Sequence, residues 1–423
     1  MQEDFLHYIW KQKKYQSVNL KTVDGIAVLV KSSGTHNHLA GPDFFNAQVR
    51  IGNQLWAGNV EIHIKSSDWY VHNHETDSNY NNVILHVVWE HDADIYRKDN
   101  SVIPTLELKN YISQSVLDNY QKLFLKSNKW INCENDFPDI DSFILQNWLE
   151  RLYFERLESK SVVIQELLQK SKNNWEAVLF NMLAKNFGLN INGEAFLSMS
   201  QSFDFSIVRK LQSNPMDLEA LFFGQIGLLD SVLEDTYYKQ LLERYHYIKH
   251  KFGLENSAVL PAQFFKLRPP NFPTIRLSQL AMLYSKYQNL FSQILDVSTL
   301  TDFYKTFEVT VSTYWQTHYN FGTVSKKSKK SLTKPFVDLL LINTIVPIKF
   351  AYAKSLGKEI TEEILQLMEH IPVESNSIVS KFQELKQGNY SAYHSQAFIQ
   401  LKKEYCDKNK CLQCAIGNAL LSE

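Results

Sequence analysis

The sequence predicts an α+β protein: a mixed-sheet α/β domain at the N-terminus, followed by a larger all-α domain. Three observations carry this. Short β-branched and aromatic runs closed by turn residues recur between residues 25 and 109. The apolar spacing changes near Ile112 to the three-and-four rhythm of helices and keeps it to about Leu401. A loop around Asn132 to Asp141 falls between the two patterns, so the expected domains are 1–135 and 136–423. A chain of 423 residues is long enough for two or three domains.

The elements follow in order. Glu3 to Gln12 has the spacing of a short amphipathic helix, and Gly25 to Val30 is a β-branched strand. Phe44 to Ile51 and Leu55 to Ile64 flank the turn residues Gly52-Asn53-Gln54 and predict a hairpin. Val83 to Trp89 is apolar on both faces, the signature of a strand covered on both sides, and Ile103 to Leu108 predicts a further strand. Val116, Tyr120 and Leu123 then share one helical face. From Ser142 the pattern is helical, interrupted at LRPPNFPTIRLSQLA (267–281) and at the basic stretch SKKSKKSLTK (325–334). No internal repeat is evident.

Composition narrows the function classes. Hydrophobic residues make up 44% of the chain, with 26 Phe and 21 Tyr, which is globular rather than disordered. The opening MQEDFLHYIWKQKKY lacks the order of a signal peptide, and no run reaches the roughly 18 apolar residues of a bilayer span, so a cytoplasmic protein with no membrane partner is expected. A net charge of −1 gives no global attraction to phosphate. Nucleic acid as a partner would need local patches: Lys326, Lys327, Lys329, Lys330 and Lys334, with Arg268 and Arg276 beside the proline turn. The plain alternative is a solvated lysine loop. Oligomeric state is not legible.

The most informative stretch is residues 41–69. In NVEIHIK, alternation sends Val60, Ile62 and Ile64 to one face and Glu61, His63 and Lys65 to the other. Pairing about the 52–54 turn brings Asp43 to within about a residue of the position opposite His63. Two carboxylates beside a His or Lys suit metal-assisted phosphodiester hydrolysis, with Asp43 and Glu61 holding Mg²⁺ or Mn²⁺ and His63 or Lys65 assisting water or charge. Strict pairing, however, puts Asp43 in phase with the apolar Phe45, Ala47, Val49 and Ile51, so a bulge near Gly41-Pro42 is required. The plain alternative makes Asp43 a turn cap and the ionisable row a solvated face.

Two other clusters carry metal-binding potential. His72 and His74 alternate onto one side of an extended segment and, with His63 or His86, can ligate Zn²⁺, Mn²⁺ or Fe²⁺ in a cupin-like site. His86, inside an apolar strand, reads first as a core histidine. Cys406, Cys411 and Cys414 have the spacing C-x4-C-x2-C, and Cys133 would complete four thiolates for zinc or an iron–sulfur cluster. Reduced thiols packed on a terminal helix are the alternative.

The hairpin resembles the PD-(D/E)XK nuclease superfamily: Pro42-Asp43 stands for the first half of its motif and Glu61-Ile62-His63 for the second, with His63 where that family has Lys. The resemblance implies a restriction-endonuclease-like fold and a Mg²⁺- or Mn²⁺-dependent nuclease acting on DNA or RNA. Lys65 would supply the missing ammonium, and Glu3 or Asp4 a further carboxylate. End to end, through GPDF, GNVEIH, SDWYVHNH, YNNVILHVVW, RPPNFPTIRLSQLA and CLQCAIG, the chain resembles an uncharacterised family, domain of unknown function 2851, which implies no activity. Three readings stand: a metal-dependent nuclease, a non-catalytic nucleic-acid-binding or scaffold protein with a structural four-cysteine site, and a cupin-like histidine-metal enzyme.

Overall fold

A computed structural model describes residues 2–37, 39–124 and 129–421. The chain divides into two units, Met1–Trp148 with Leu401–Glu423, and Leu149–Gln400. The architecture is α+β, as the spacing predicts, but the boundary differs: the C-terminal segment folds with the N-terminal unit.

In the first unit, helix α1 (Glu3–Gln12) places acids in its first turn, where the helix dipole favours them. It ends on Lys13 in the left-handed conformation. Strands β1 (Val28–Ser32), β2 (Thr35–His36), β3 (Phe44–Ile51), β4 (Gln54–Lys65), β5 (Val83–Glu90) and β6 (Thr105–Glu107) form one mixed sheet. The order is β1-β3-β4-β5-β6, with β2 also on β3; β1, β2 and β4 run antiparallel to β3, while β4, β5 and β6 are mutually parallel. The twelve-residue β4 is therefore the pivot between the hairpin and the parallel half. Gly52, at φ 59°, makes the tight β3–β4 turn, a conformation most side chains resist.

Phe5, Leu6, Ile9 and Trp10 of α1 share one core with Phe44, Ala47, Val49, Val60, Ile62, Leu85 and Val87. Each fully buried Val, Leu, Ile or Phe among them contributes about 1.5–3 kcal/mol. Helix α2 (Asp68–Val71) lies on the crossover between β4 and β5, anchored by fully buried Trp69. Helix α3 (Gln114–Phe124) buries Tyr120 and Leu123 with Val116 packed beside them, the face expected from their spacing.

The bulge that the sequence demanded exists, but it lies within β3 rather than at Gly41-Pro42. Phe44 pairs with Val60 and Ala47 with Gly58, so β3 carries one extra residue, and Asn46 takes it up at φ 57°. The slip keeps Phe44 in phase with buried Ala47, Val49 and Ile51 and moves Asp43 out of that phase, to the side of Glu61.

The second unit is helical apart from one small strand pair, His318–Asn320 with Thr323–Val324, among the described residues. The expected interruption at 267–281 is largely a helix, Pro273–Lys286: proline at its first position needs no hydrogen bond there. Lys334–Ser355 is long and apolar enough to cross a membrane by length and composition, which the sequence reading had denied of any run. Within this structure 72% of its apolar window is buried, as in a core helix.

Candidate metal centre

The hairpin and the crossover behind it build the site. Asp43 N–H donates to Glu61 Oε2 (3.0 Å) and Ile62 N–H donates to Asp43 Oδ2 (2.9 Å). The two carboxylates thus come together as expected, each with one oxygen occupied by a backbone donor next to the other acid. Glu61 Oε1 faces two imidazoles, His74 Nε2 at 3.3 Å and His63 Nε2 at 3.6 Å. His63 Nε2 in turn lies 3.0 Å from His72 Nδ1.

Four donor atoms, from Glu61, His63, His72 and His74, therefore face one another. Among the described residues, His63, His72 and His74 alone form a group with three ligand atoms mutually within 4.8 Å. Bonds of about 2.0–2.2 Å to a divalent ion place neighbouring ligand atoms roughly 3.0–3.6 Å apart, from tetrahedral or octahedral angles. The separations observed are of that size.

The local fold explains the placement. Glu61 and His63 alternate with core residues Val60 and Ile62 on β4, while buried Trp69 fixes the crossover that carries His72 and His74. His74 stacks on Tyr80 at 3.8 Å, and Trp69 meets both His74 and His86 edge-on. His86, aligned with Glu61 across the β4–β5 pair, places Nε2 2.8 Å from His63 Nδ1. It does not face the donor group but backs it, in the manner of residues that fix a ligand's tautomer.

Electrostatics suits a cation. Burial, with His74 and His72 adding to it, depresses His63 to about 3, and burial also lowers His74 and His86, which favours the neutral, metal-ligating form of these three imidazoles. Burial, and then the nearby Asp43 charge, push Glu61 far above the carboxylate range. A divalent ion would reverse that shift. His7, one helical turn after Glu3, lies with Nε2 3.2 Å from Asp43 Oδ2. Burial works to lower its pKa, but Asp43 outweighs this through hydrogen bonding and charge and holds it above the usual value.

Other expected residues fall elsewhere. Lys65 is exposed at the end of β4, where its charge acts on Asp92; it brings no ammonium to the carboxylates. Asp4 is exposed, whereas Glu3 is half-buried and electrostatically linked to His7, Asp43 and His72. His7 escaped the sequence reading, although its i, i+4 spacing from Glu3 was a signal. In the second unit Arg276 is buried, bonded to Gln279 and Asn271 and stacked 3.6 Å over Phe336, so it is not available to phosphate as expected. Lys330 is likewise committed, to the carbonyls of Trp315 and His318. Arg268, Lys326, Lys327 and Lys329 are exposed. Cys133, Cys406, Cys411 and Cys414 line one cavity in the first unit.

Residues 3–377 match one family model, described as Protein of unknown function (DUF2851). Neither a curated protein nor a solved structure matches the chain.

Proposed function

The chain belongs to the family Protein of unknown function (DUF2851), and because that membership carries no activity, we propose from the site itself a metal-dependent hydrolase with phosphodiesters, DNA or RNA, as its substrate class. The supporting observation is the convergence of Glu61 Oε1, His63 Nε2, His72 Nδ1 and His74 Nε2 at separations of 3.0 to 3.6 Å where they touch. Three imidazoles and one carboxylate suit Zn²⁺, Mn²⁺ or Fe²⁺ better than Mg²⁺, which prefers oxygen donors. Such an ion supplies a Lewis acid and an acidified water.

The chain's own groups do the rest. His63 offers Nε2 when its Nδ1–H donates to His86 Nε2, so His86 selects the competent tautomer. Asp43 holds Glu61 through its backbone N–H. His7, whose pKa Asp43 holds above the usual value, would in its protonated form stabilise charge on a phosphate or protonate a leaving alkoxide. The exposed Arg268, Lys326, Lys327 and Lys329 are the remaining candidates for backbone phosphates. A cytoplasmic location belongs to the same proposal.

The test is elemental analysis of the purified chain, followed by hydrolysis of bis(p-nitrophenyl) phosphate, single-stranded DNA and RNA. One transition-metal ion per chain, lost in the His72→Ala/His74→Ala variant, together with metal-dependent cleavage lowered on the order of 100-fold or more by Glu61→Gln, is the expected result. Metal retained by the double variant, or no cleavage at full occupancy, removes this reading. The three-histidine, one-carboxylate set also favours a second reading, the cupin-like redox enzyme, which dioxygen-dependent turnover by the iron form would identify. Nucleic-acid binding without turnover would point to a scaffold.

A further inference from the structure

The four cysteines take no part in that site. Cys133 precedes residues 149–400 in the chain and the other three follow them, yet all four line one cavity within the first unit. Its walls are apolar, built by Leu123, Ile131, Leu401 and Ile416. None of the thiols is in a disulfide.

The sulfurs are also served by donors. Asn132 Nδ2 lies 3.3 Å from Cys411 Sγ, while the backbone N–H groups of Ile416 and Gly417 are directed at Cys414. Gly417 permits this approach: a Cβ there would sit 2.1 Å from the Cys411 carbonyl oxygen. Buried thiols that serve only as small apolar packing need no such N–H groups; thiolates and sulfides do. Thiolates in an apolar cavity also require a cationic partner.

Spacing indicates which partner. Four thiolates on zinc, with Zn–S about 2.3 Å, sit roughly 3.8 Å apart. No three of these sulfurs come within 4.8 Å of one another, since among the described residues only the histidine trio does so. A cavity of about 20 Å³ remains among them. The thiolates of a cubane cluster stand roughly 6 Å apart around such a centre.

We propose that Cys133, Cys406, Cys411 and Cys414 together bind an iron–sulfur cluster, which clamps the two chain segments flanking residues 149–400. On assembly from two ferrous ions, two ferric ions and four sulfides, the four thiols release four protons and bind iron as thiolates, so neither iron nor cysteine changes oxidation state in that step. Closing so long a loop stabilises the unit by restricting its unfolded chain.

The experiment is anaerobic purification of the full chain, reconstituted with equal amounts of ferrous and ferric iron and with sulfide if it is isolated without them. The expected result is about four iron and four sulfide per chain, visible charge-transfer absorption bleached by dithionite, and loss of both in Cys133→Ser and Cys411→Ser. Retention of metal at the histidines in these variants would show that the first unit still folds, and His72→Ala/His74→Ala should leave the cluster intact, so the two proposals fail separately. One zinc per chain on the four thiols with no iron uptake, no metal at all after reconstitution, or full iron in Cys133→Ser would each overturn the assignment.

Discussion

His63 belongs to both the carboxylate and the histidine readings of the sequence, and its surroundings decide between them. Buried to 1% exposure, it touches His72, His74, His86 and Glu61. Because His86 orients it without facing the donor group, His86→Phe should leave all four ligands in place and weaken metal affinity about 10- to 100-fold, measured by competition with a chelator. An unchanged affinity would make His86 a packing residue only. Asn46 sets Asp43 in the same way, through backbone rather than contact. Asn46→Gly should be close to neutral, whereas Asn46→Val should cost about 1–2 kcal/mol in thermal unfolding, because a β-branched residue resists positive φ. The alternation of Glu61 with Ile62 was legible in the sequence; the bulge was displaced because many asparagines adopt left-handed turns and spacing alone does not single one out. His7 was hidden because its partner Asp43 lies on a strand rather than on its own helix.

Strands and helices with strong periodicity were legible: the β3–β4 hairpin, doubly buried β5 and the apolar face of α1 all follow from their spacing. Helices that begin on proline were not, since Pro273 reads as a break in sequence and serves as a first-turn residue in the fold. The helix Ala392–Gln400 carries a pH-sensitive start. Ser391 N–H donates to His394 Nδ1 at 3.1 Å, and burial holds His394 down to about 4. A depressed histidine favours the neutral form when folded. As pH falls below the usual 6.5, the unfolded chain takes up a proton that the folded chain refuses until about 4, so stability is lost across that window and levels off below it. The loss is at most about 3 kcal/mol, from 1.36 kcal/mol per unit. Unfolding of the second unit by denaturant between pH 7 and 4 should show this slope, and His394→Gln should flatten it; an equal slope in the variant would assign the effect elsewhere.

For the molecule as a whole, the decisive feature is that the first unit is made from both ends of the chain. Sequence pattern placed the boundary at 135 and assigned the tail to the helical domain, because the short helix Ala415–Leu420 continues a helical rhythm and only packing distinguishes its owner. That packing is with the sheet: Cys411 and Leu421 belong to the core of α1, Phe44 and Ile62, with Leu412 and Leu420 against it. A chain ending at Gln400 therefore does not lose an appendage. Removing Leu421 alone compares with a Leu→Ala core change of about 2–5 kcal/mol, and Cys411 and its neighbours add to that. Domain stabilities run about 5–15 kcal/mol, so the first unit should unfold outright while the helical unit persists. In calorimetry the full chain should give two transitions and the truncated chain one, with helical circular dichroism from residues 149–400 retained and metal lost from His63, His72 and His74. A truncated chain that keeps both transitions and its metal would mean that the N-terminal residues fold alone and that the cysteine clamp has no structural role.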